Sequence, residues 1–212
     1  MAPKGHSVTM DDGGSIDDGD GTVADPLVGS MSGRLLVATP QLRDPRFARA
    51  VVLLLDHDES GTVGVVLNQP LDLAVSAEFP SWGQCSALAA PEVFFSGGPV
   101  EIDGALVIAA LRPGVVAPVV RVVPGSIAVI DIDSEPAEAP YWASGLRVFA
   151  GYSGWGPGQL LAELDEGSWY VVDSRPEDLL DPHPEGLWRS VLRRQLGDVA
   201  LVSTWTDDPD LN

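Results

Sequence analysis

Short apolar runs, separated by segments rich in proline and glycine, dominate the pattern of hydrophobic and polar positions from residue 33 onward. Runs of this kind, bounded by turn-forming residues, predict buried strands. The predicted strands are 34–39, 50–58, 62–68, 93–97, 105–111, 119–123, 126–131, 146–152, 169–173 and 199–205. Because only the turn 59–61 separates the second strand from the third, we expect these two strands to form a β-hairpin.

A helical period of apolar residues is clearest in segment 184–196. Its apolar face is predicted to consist of Leu187, Trp188, Val191 and Leu192. Shorter helices are predicted at 71–79 and at 159–164. Strands outnumber helices, and the first strands form a hairpin without an intervening helix. This order favours a single α+β domain over residues 33–206 rather than a doubly wound α/β sheet.

The two ends of the chain differ in composition from this domain. Segment 1–32 is rich in aspartate, glycine and serine and poor in apolar residues, so we predict a disordered acidic tail there. Segment 207–212 is predicted to be a short acidic C-terminal tail. The aspartates of the first segment lack the calcium-loop pattern with its closing glutamate, so the composition favours a tail over a metal site.

The formal net charge of −19 narrows the range of partners. A surface this acidic repels phosphate backbones and makes direct nucleic-acid binding unfavourable. The single cysteine, Cys85, excludes an intrachain disulfide and fits a reducing compartment. No apolar leader or membrane-length apolar run is visible, so we predict a soluble cytoplasmic protein that does not contact the membrane.

The stretch FAGYSGWGPGQL, residues 149–160, raises the question of a ligand loop. It fits neither the Walker pattern nor the dinucleotide fingerprint, because the required lysine and third glycine are missing. A glycine loop between a strand and a helix still offers free backbone N–H groups, and Pro157 stiffens it. The alternative is that Tyr152 and Trp155 anchor a tight turn in the core, and the turn alone explains the glycines.

Reactive side chains are sparse. The cluster DHDE at 56–59 favours a hydrated turn over a metal site, because a metal site normally needs three or four converging ligands. No metal and no cofactor are therefore predicted. Ser153 lies in an incomplete nucleophile elbow, because Trp155 stands where the elbow has glycine. A hydrolase-like enzyme that uses His57 or Ser153 is therefore a secondary hypothesis.

Four separated blocks resemble one family of bacterial proteins. The blocks are GRLLVATPQLRDPRFARAVVLLLDHDESGTVGVVLNQPL (33–71), FFSGGPV (94–100), FAGYSGWGPGQLLAELDEGSWYVV (149–172) and LWRSVLRRQ (187–195). In this order they resemble the AlgH/YqgE family. The resemblance implies a branched, mixed β-sheet curled into a partial barrel with flanking helices. It implies no reaction, and the family's label as a transcriptional regulator makes that role a further alternative.

The leading hypothesis is a cytoplasmic, non-enzymatic protein that binds a small ligand or a protein partner in a regulatory role. It rests on two stiff glycine segments, 97–100 and 151–159, and on the absence of a convergent catalytic set. If both segments border one cleft, that cleft would be aromatic and suited to a small anion or a chain terminus. The predicted ligand-binding residues are His57, Asn68, Gly97, Gly98, Tyr152, Gly154, Trp155, Gly156 and Gln159.

Overall fold

The computed structural model describes residues 31–42 and 44–206. Apart from Met31 and Ser32, the two predicted tails lie outside the described residues. Met31 is buried and its carbonyl oxygen accepts the amide of Arg34. Within the described residues, no helix has both the length and the apolar character needed to cross a bilayer.

Within residues 31–42 and 44–206, ten strands form the sheet. They are β1 Arg34–Ala38, β2 Val51–Asp58, β3 Gly61–Val66, β4 Pro70–Ala74, β5 Val93–Ser96, β6 Val100–Leu111, β7 Val119–Val123, β8 Ile127–Ile130, β9 Ala143–Trp155 and β10 Trp169–Asp173. The α-helices are α1 Val75–Glu78, α2 Pro80–Gly83, α3 Ala139–Trp142, α4 Gln159–Asp165, α5 Pro176–Leu179, α6 Leu187–Arg193 and α7 Asp198–Val202. Single 3₁₀ turns occupy Pro45–Phe47, Pro136–Glu138 and Pro184–Gly186.

The sheet branches at β9. Its order is β10-β1-β2-β3-β9-β6-β8-β7, with β4 and β5 off this path. Along one edge β9 pairs with β6, and along the other it pairs first with β5, in parallel, and then with β3. The curled sheet forms a half-barrel flanked by helices, which confirms the predicted fold.

The interior of the half-barrel holds the largest apolar cluster. Phe95 and Phe149 from adjacent strands lie in it, with ring centroids 5.8 Å apart. Helix α6 contributes its apolar face, so the helical period found in the sequence is confirmed over Leu187–Arg193. The indole N–H of Trp188 donates to the carbonyl oxygen of Ala38 and joins this helix to β1. Burial of such side chains contributes roughly 1.5–3 kcal/mol each.

The predicted β2–β3 hairpin is confirmed, with an irregularity in register between Leu54 and Asp56. Two other predictions are corrected. The helix predicted at 71–79 is confirmed only over Val75–Glu78, because the residues before it belong to β4, which pairs with β5. Segment 199–205 contains helix α7 instead of a strand: Val199 and Val202, three positions apart, both contact the main core, while Leu201 stays exposed.

Candidate functional site

The two glycine segments meet in the structure, but as packed backbone. The predicted loop at 151–159 is wrong at its start, because Gly151–Trp155 is the last part of β9. The amide of Gly97 donates to the carbonyl oxygen of Ala150 over 2.9 Å. The hydroxyl of Ser153 donates back to the carbonyl oxygen of Gly97 over 3.0 Å. The segments therefore join β5 and β6 to β9.

This contact requires glycine at both positions of the pair. A Cβ atom on Gly97 would overlap the carbonyl oxygen of Gly151, and one on Gly98 would overlap Ser153. Gly98 also has φ of +148°, a backbone conformation that favours glycine. Gly97, Gly98 and Gly151 are all buried. Of the predicted site residues, Gly97 and Gly98 are thus buried and hold neighbouring strands together.

The end of β9 borders two clefts that share Gly154 and Trp155. We call the first the tryptophan cleft; it has a volume of about 280 Å³. Its lining residues are Leu42, Asp44, Arg46, Phe47, Pro99, Gly154, Trp155, Gln159, Glu163 and Trp169. We call the second, of about 330 Å³, the hairpin cleft, because the β2–β3 hairpin forms one wall. Tyr152 lines the hairpin cleft together with Asp56, Asp58, Ser60 and Thr62.

Three aromatic rings form the floor of the tryptophan cleft. The ring of Phe47 lies 5.7 Å from that of Trp169 and 6.4 Å from that of Trp155, measured between centroids. The two indoles meet edge to face at 6.1 Å. Such edge-to-face contacts add to the stability gained by burial and restrict the rotamers of the rings. The three rings are therefore packed against one another without any ligand.

A single carboxylate holds both indoles. Oε2 of Glu163 accepts the indole N–H of Trp155 over 2.9 Å and that of Trp169 over 2.8 Å. Its Oε1 accepts the side-chain amide of Gln159 over 3.0 Å. The amide oxygen of Gln159 in turn accepts the backbone N–H of Gly156 over 3.1 Å. One backbone N–H group of the glycine loop, that of the predicted site residue Gly156, is thus already bonded within the protein.

Asp44 and Arg46 form one rim of the tryptophan cleft. The guanidinium of Arg46 donates to both carboxylate oxygens of Asp44, with Nη2 2.6 Å from Oδ2. Asp44 also caps the 3₁₀ turn that carries Phe47, because its Oδ1 accepts the amide of Arg46. These bonds from Arg46 lower the pKa of Asp44 below its ordinary value.

Asn68, a predicted site residue, supports this rim from outside the cleft. Its Oδ1 accepts the amide of Val51 over 2.8 Å, and its Nδ2 donates to the carbonyl oxygen of Arg49 over 2.9 Å. Arg49 has φ of +55°, which is unusual for a residue with a side chain. The neighbouring Gln69 donates to the carbonyl oxygen of Arg46 over 2.8 Å. Asn68 and Gln69 therefore hold the loop that places Asp44 and Phe47.

His57 lies beside the hairpin cleft. Its Nδ1 lies 2.7 Å from the hydroxyl oxygen of Thr62, which stands directly opposite Trp155 in the sheet. Ser153 is buried and donates to Gly97, so the two candidate catalytic residues have different hydrogen-bond partners. The described residues contain no group of three acidic, histidine or cysteine side chains arranged to hold a metal ion.

The acidic side of the hairpin cleft is partly neutralised. Nη1 of Arg121 lies 2.8 Å from Oδ1 of Asp56. Hydrogen bonds from Ser60 lower the pKa of Asp58. Partial burial and the nearby carboxylate of Glu101 raise the pKa of Tyr152, whose hydroxyl donates to Oε1 of Glu101 over 3.4 Å.

The structure brings Gly154, Trp155 and Gln159 together in the tryptophan cleft and leaves Gly156 beside it. Sequence reasoning left Asp44, Phe47, Glu163 and Trp169 out of the predicted site. The one local signal was the spacing of Gln159 and Glu163, four residues apart on a short helix. That spacing indicates a paired helix face and says nothing of the indoles of Trp155 and Trp169, which come from β9 and β10, two strands that are not adjacent in the sheet.

Fold and site together define a class: a single-domain α+β half-barrel with an aromatic cleft at the end of a branched central strand. A family model described as AlgH-like, DUF179, matches residues 35–200. The chain belongs to this family, which confirms the resemblance seen in the sequence.

Relatives and solved structures agree. A UPF0301 protein of Streptomyces coelicolor is 52% identical over 189 residues, covering 87% of this chain and 97% of its own. A UPF0301 protein of Thermobifida fusca is 41% identical, covering 86% and 96%. A crystal structure from Corynebacterium diphtheriae is 32% identical with a TM-score of 0.76, covering 82% and 91%.

The solution structure of the AlgH protein from Pseudomonas aeruginosa is 27% identical, with a TM-score of 0.61, covering 85% of this chain and 97% of its own. These names assign no reaction to the family, so any function must be argued from the site.

Proposed function

We propose that this protein is a cytoplasmic regulatory protein that binds a small molecule in the tryptophan cleft. The observation that carries the proposal is the carboxylate of Glu163, which holds the indoles of Trp155 and Trp169 in a fixed arrangement beside an open space of about 280 Å³. Ligand sites are typically concave, lined by aromatic groups and supplied with a few placed polar groups.

Preorganisation supports the same proposal. The rim is held by Asn68 and Gln69, and the floor by Glu163 and by ring contacts. A site whose side chains are already ordered loses little conformational entropy when a ligand binds. Elements from five parts of the chain converge here: the loop before β2, the segment between β5 and β6, the end of β9, helix α4 and the start of β10.

The proposed regulatory role follows from a site that binds a ligand and has no paired nucleophile and base among the two candidate residues, Ser153 and His57. The hydroxyl of Ser153 is bonded to a backbone carbonyl, and the imidazole of His57 is bonded to Thr62. A nucleophile needs an adjacent base within hydrogen-bond reach, and these two side chains do not serve each other. With a net charge of −19, we expect regulation through a ligand or a protein partner and no direct contact with nucleic acid.

A metabolite screen followed by NMR tests the proposal. Each compound is scored first by the rise in melting temperature, and hits are then examined through the indole N–H resonances. A ligand in the tryptophan cleft should move the resonances of Trp155 and Trp169 while leaving that of Trp82, which donates to the carbonyl oxygen of Ile132, in place. Ligand at a hundred times its Kd should stabilise the fold by about 2.7 kcal/mol.

A matched pair of variants places the site. Gln159→Phe puts a bulky ring at an exposed position that lines the cleft, and should abolish binding. Leu161→Phe puts the same ring on the same helix at an exposed position outside the lining, and should bind normally. Hits that stabilise the protein but move neither indole, or that bind Gln159→Phe unchanged, contradict the proposed site.

A further inference from the structure

Within the described part of the chain, the carboxylate of Glu163 accepts hydrogen bonds from uncharged donors only. Its hydrogen bonds come from two indole N–H groups and one side-chain amide. The other carboxylate in the lining, Asp44, is bonded to the guanidinium of Arg46. Since Arg46 is the one cation among the described lining residues, the tryptophan cleft carries a negative charge at its floor that no cation in this lining offsets.

A second depression continues the tryptophan cleft on its acidic side. It shares Leu42, Asp44 and Glu163 with that cleft, and it adds the exposed carboxylate of Glu166. Its volume is about 850 Å³. A net charge of −19 also draws cations toward the whole surface and raises their association rates.

The aromatic floor favours the same sign of charge. Ring faces carry the negative part of the aromatic quadrupole, and tryptophan is the strongest partner for a cation. Phe47 is half-buried and lines the cleft next to the Glu163 carboxylate, whereas Trp155 and Trp169 are buried and border the cleft with little exposed surface. This combination suits a group that is both positively charged and apolar at its surface.

We propose that the ligand of the tryptophan cleft is an organic cation, such as an alkylated ammonium group. Its charge lies beside Glu163 and its alkyl groups lie against the aromatic floor. A longer dication reaches the second depression and Glu166. This inference rests on the proposed function, and it replaces the small anion or chain terminus that the sequence suggested.

An anion finds little to bind in this cleft. The guanidinium of Arg46 is already bonded to both oxygens of Asp44, and the amide of Gly156 is taken by Gln159. Helix α4 has only seven residues, and the amide of Gln159 at its start donates to the carbonyl oxygen of Gly156. An anion would also have to approach Glu163, and among the described lining residues the one cation, Arg46, is already bonded to Asp44.

Three probes of nearly equal shape and different charge test the sign of the ligand. They are tetramethylammonium, tert-butanol and pivalate, each titrated into the full-length protein while the indole N–H resonances are followed. We expect tetramethylammonium alone to move the resonances of Trp155 and Trp169, in a saturable way. We also expect its Kd to rise at least threefold when the ionic strength goes from low to physiological, because screening weakens the attraction.

The outcomes separate this inference from the proposed function. Saturable binding of tert-butanol or pivalate at the same indoles overturns the cationic ligand and leaves a small-molecule site in place. If none of the three probes moves the indole N–H resonances, the cationic ligand is also overturned. The proposed function is then contradicted only if the metabolite screen finds no ligand either. These measurements on the unmodified protein do not depend on a variant folding.

Two charge-matched variants extend the test. Glu166→Gln should weaken binding of hexamethonium, a dication, by about fivefold or more, and should leave tetramethylammonium within twofold. Glu138→Gln removes one charge from an exposed residue of the 3₁₀ turn Pro136–Glu138, outside both depressions, and should change neither. Equal effects of the two variants would show that only net charge matters and would overturn the placement of the dication.

Discussion

The hydroxyl of Ser153 donates a hydrogen bond to the carbonyl oxygen of Gly97, 56 residues earlier in the chain, and both residues are buried. The same carbonyl oxygen accepts the amide of Val66 in β3. Three parts of the sheet therefore meet at one oxygen, next to the point where β9 changes partner. This junction supports the end of β9, which carries Gly154 and Trp155 into the clefts.

Ser153→Ala should lower the free energy of unfolding by about 1 kcal/mol, because the Gly97 carbonyl keeps its bond to Val66 and loses only the hydroxyl. Urea unfolding measures the change. Ser144→Ala is the control, since that exposed hydroxyl also donates to a carbonyl oxygen, of Ala110; its cost should stay below about 0.5 kcal/mol. If Ser153 were a nucleophile, the variant would lose an activity rather than stability.

Gly98→Ala should prevent folding or cost more than about 3 kcal/mol. Its Cβ would overlap the Ser153 hydroxyl and the Tyr152 carbonyl, and φ of +148° disfavours any side chain. Gly158→Ala is the matched control, with φ of +71° and no atom within 4 Å of the added Cβ. It should cost about 1–2 kcal/mol from backbone strain alone. If thermal unfolding shows similar losses of stability for the two variants, the backbone around Gly98 accommodates the added methyl group, which contradicts the expected overlap.

The Asp44–Arg46 pair should make the rim of the tryptophan cleft sensitive to acid. Hydrogen bonds from Arg46 lower the pKa of Asp44 below its ordinary value of 3.8 in the folded protein. The stabilisation is therefore complete above that value and is lost as the pH falls through the lower folded pKa. The NMR resonances of Phe47, in the turn that Asp44 caps, should shift in this acidic range, and Asp44→Asn should remove the shift.

Substitutions at Asp44 also separate the charge from the cap. Asp44→Asn keeps a side chain that caps the 3₁₀ turn and should change unfolding only slightly, because exposed ion pairs contribute little. Asp44→Ala removes the cap as well and should cost about 1 kcal/mol more. Equal stability of the two variants would contradict a capping role for Asp44.

Arg147 is buried in the half-barrel without a carboxylate among its hydrogen-bond partners. Its Nη2 donates to the carbonyl oxygens of Ala90 and Asp181, and its Cζ lies 4.2 Å from the ring centroid of Phe95. Within the described residues its Nε and Nη1 have no partner. Burial lowers the pKa of Arg147 to about 10. The fold thus keeps a desolvated charge at a cost that a neutral side chain would avoid.

We expect Arg147→Met to stay within about 1.5 kcal/mol of the wild-type free energy of unfolding, because the lost hydrogen bonds are offset by removal of the buried charge. Arg147→Ala should lose about 2–5 kcal/mol, since it also leaves a cavity. Urea unfolding of both proteins gives the comparison. A methionine variant as unstable as the alanine variant would show that the two carbonyl bonds, and not the filled volume, hold this part of the half-barrel together.

Only part of the tryptophan cleft was predictable from sequence. Gly154, Trp155 and Gln159 lie in a stretch whose glycines already indicate unusual backbone, and all three line the cleft. Glu163 and Trp169 were not predicted. The direction in which an indole N–H points depends on how strands distant in the chain pack together, and residue spacing along the chain does not encode it. Gly97 and Gly98 were assigned to a ligand loop, but their glycines serve a backbone contact with residues about fifty positions away.

Local patterns by themselves determined the β2–β3 hairpin, the apolar face of α6 and the α+β class, since each depends on residues close together in the chain. Tertiary structure decided the rest. The apolar segment 199–205 fits a strand or a helix equally well by composition, and it is helical at Asp198–Val202 because two valines three positions apart meet the core. The branch at β9 and the two clefts beside it likewise come from contacts between distant segments, which no local period encodes.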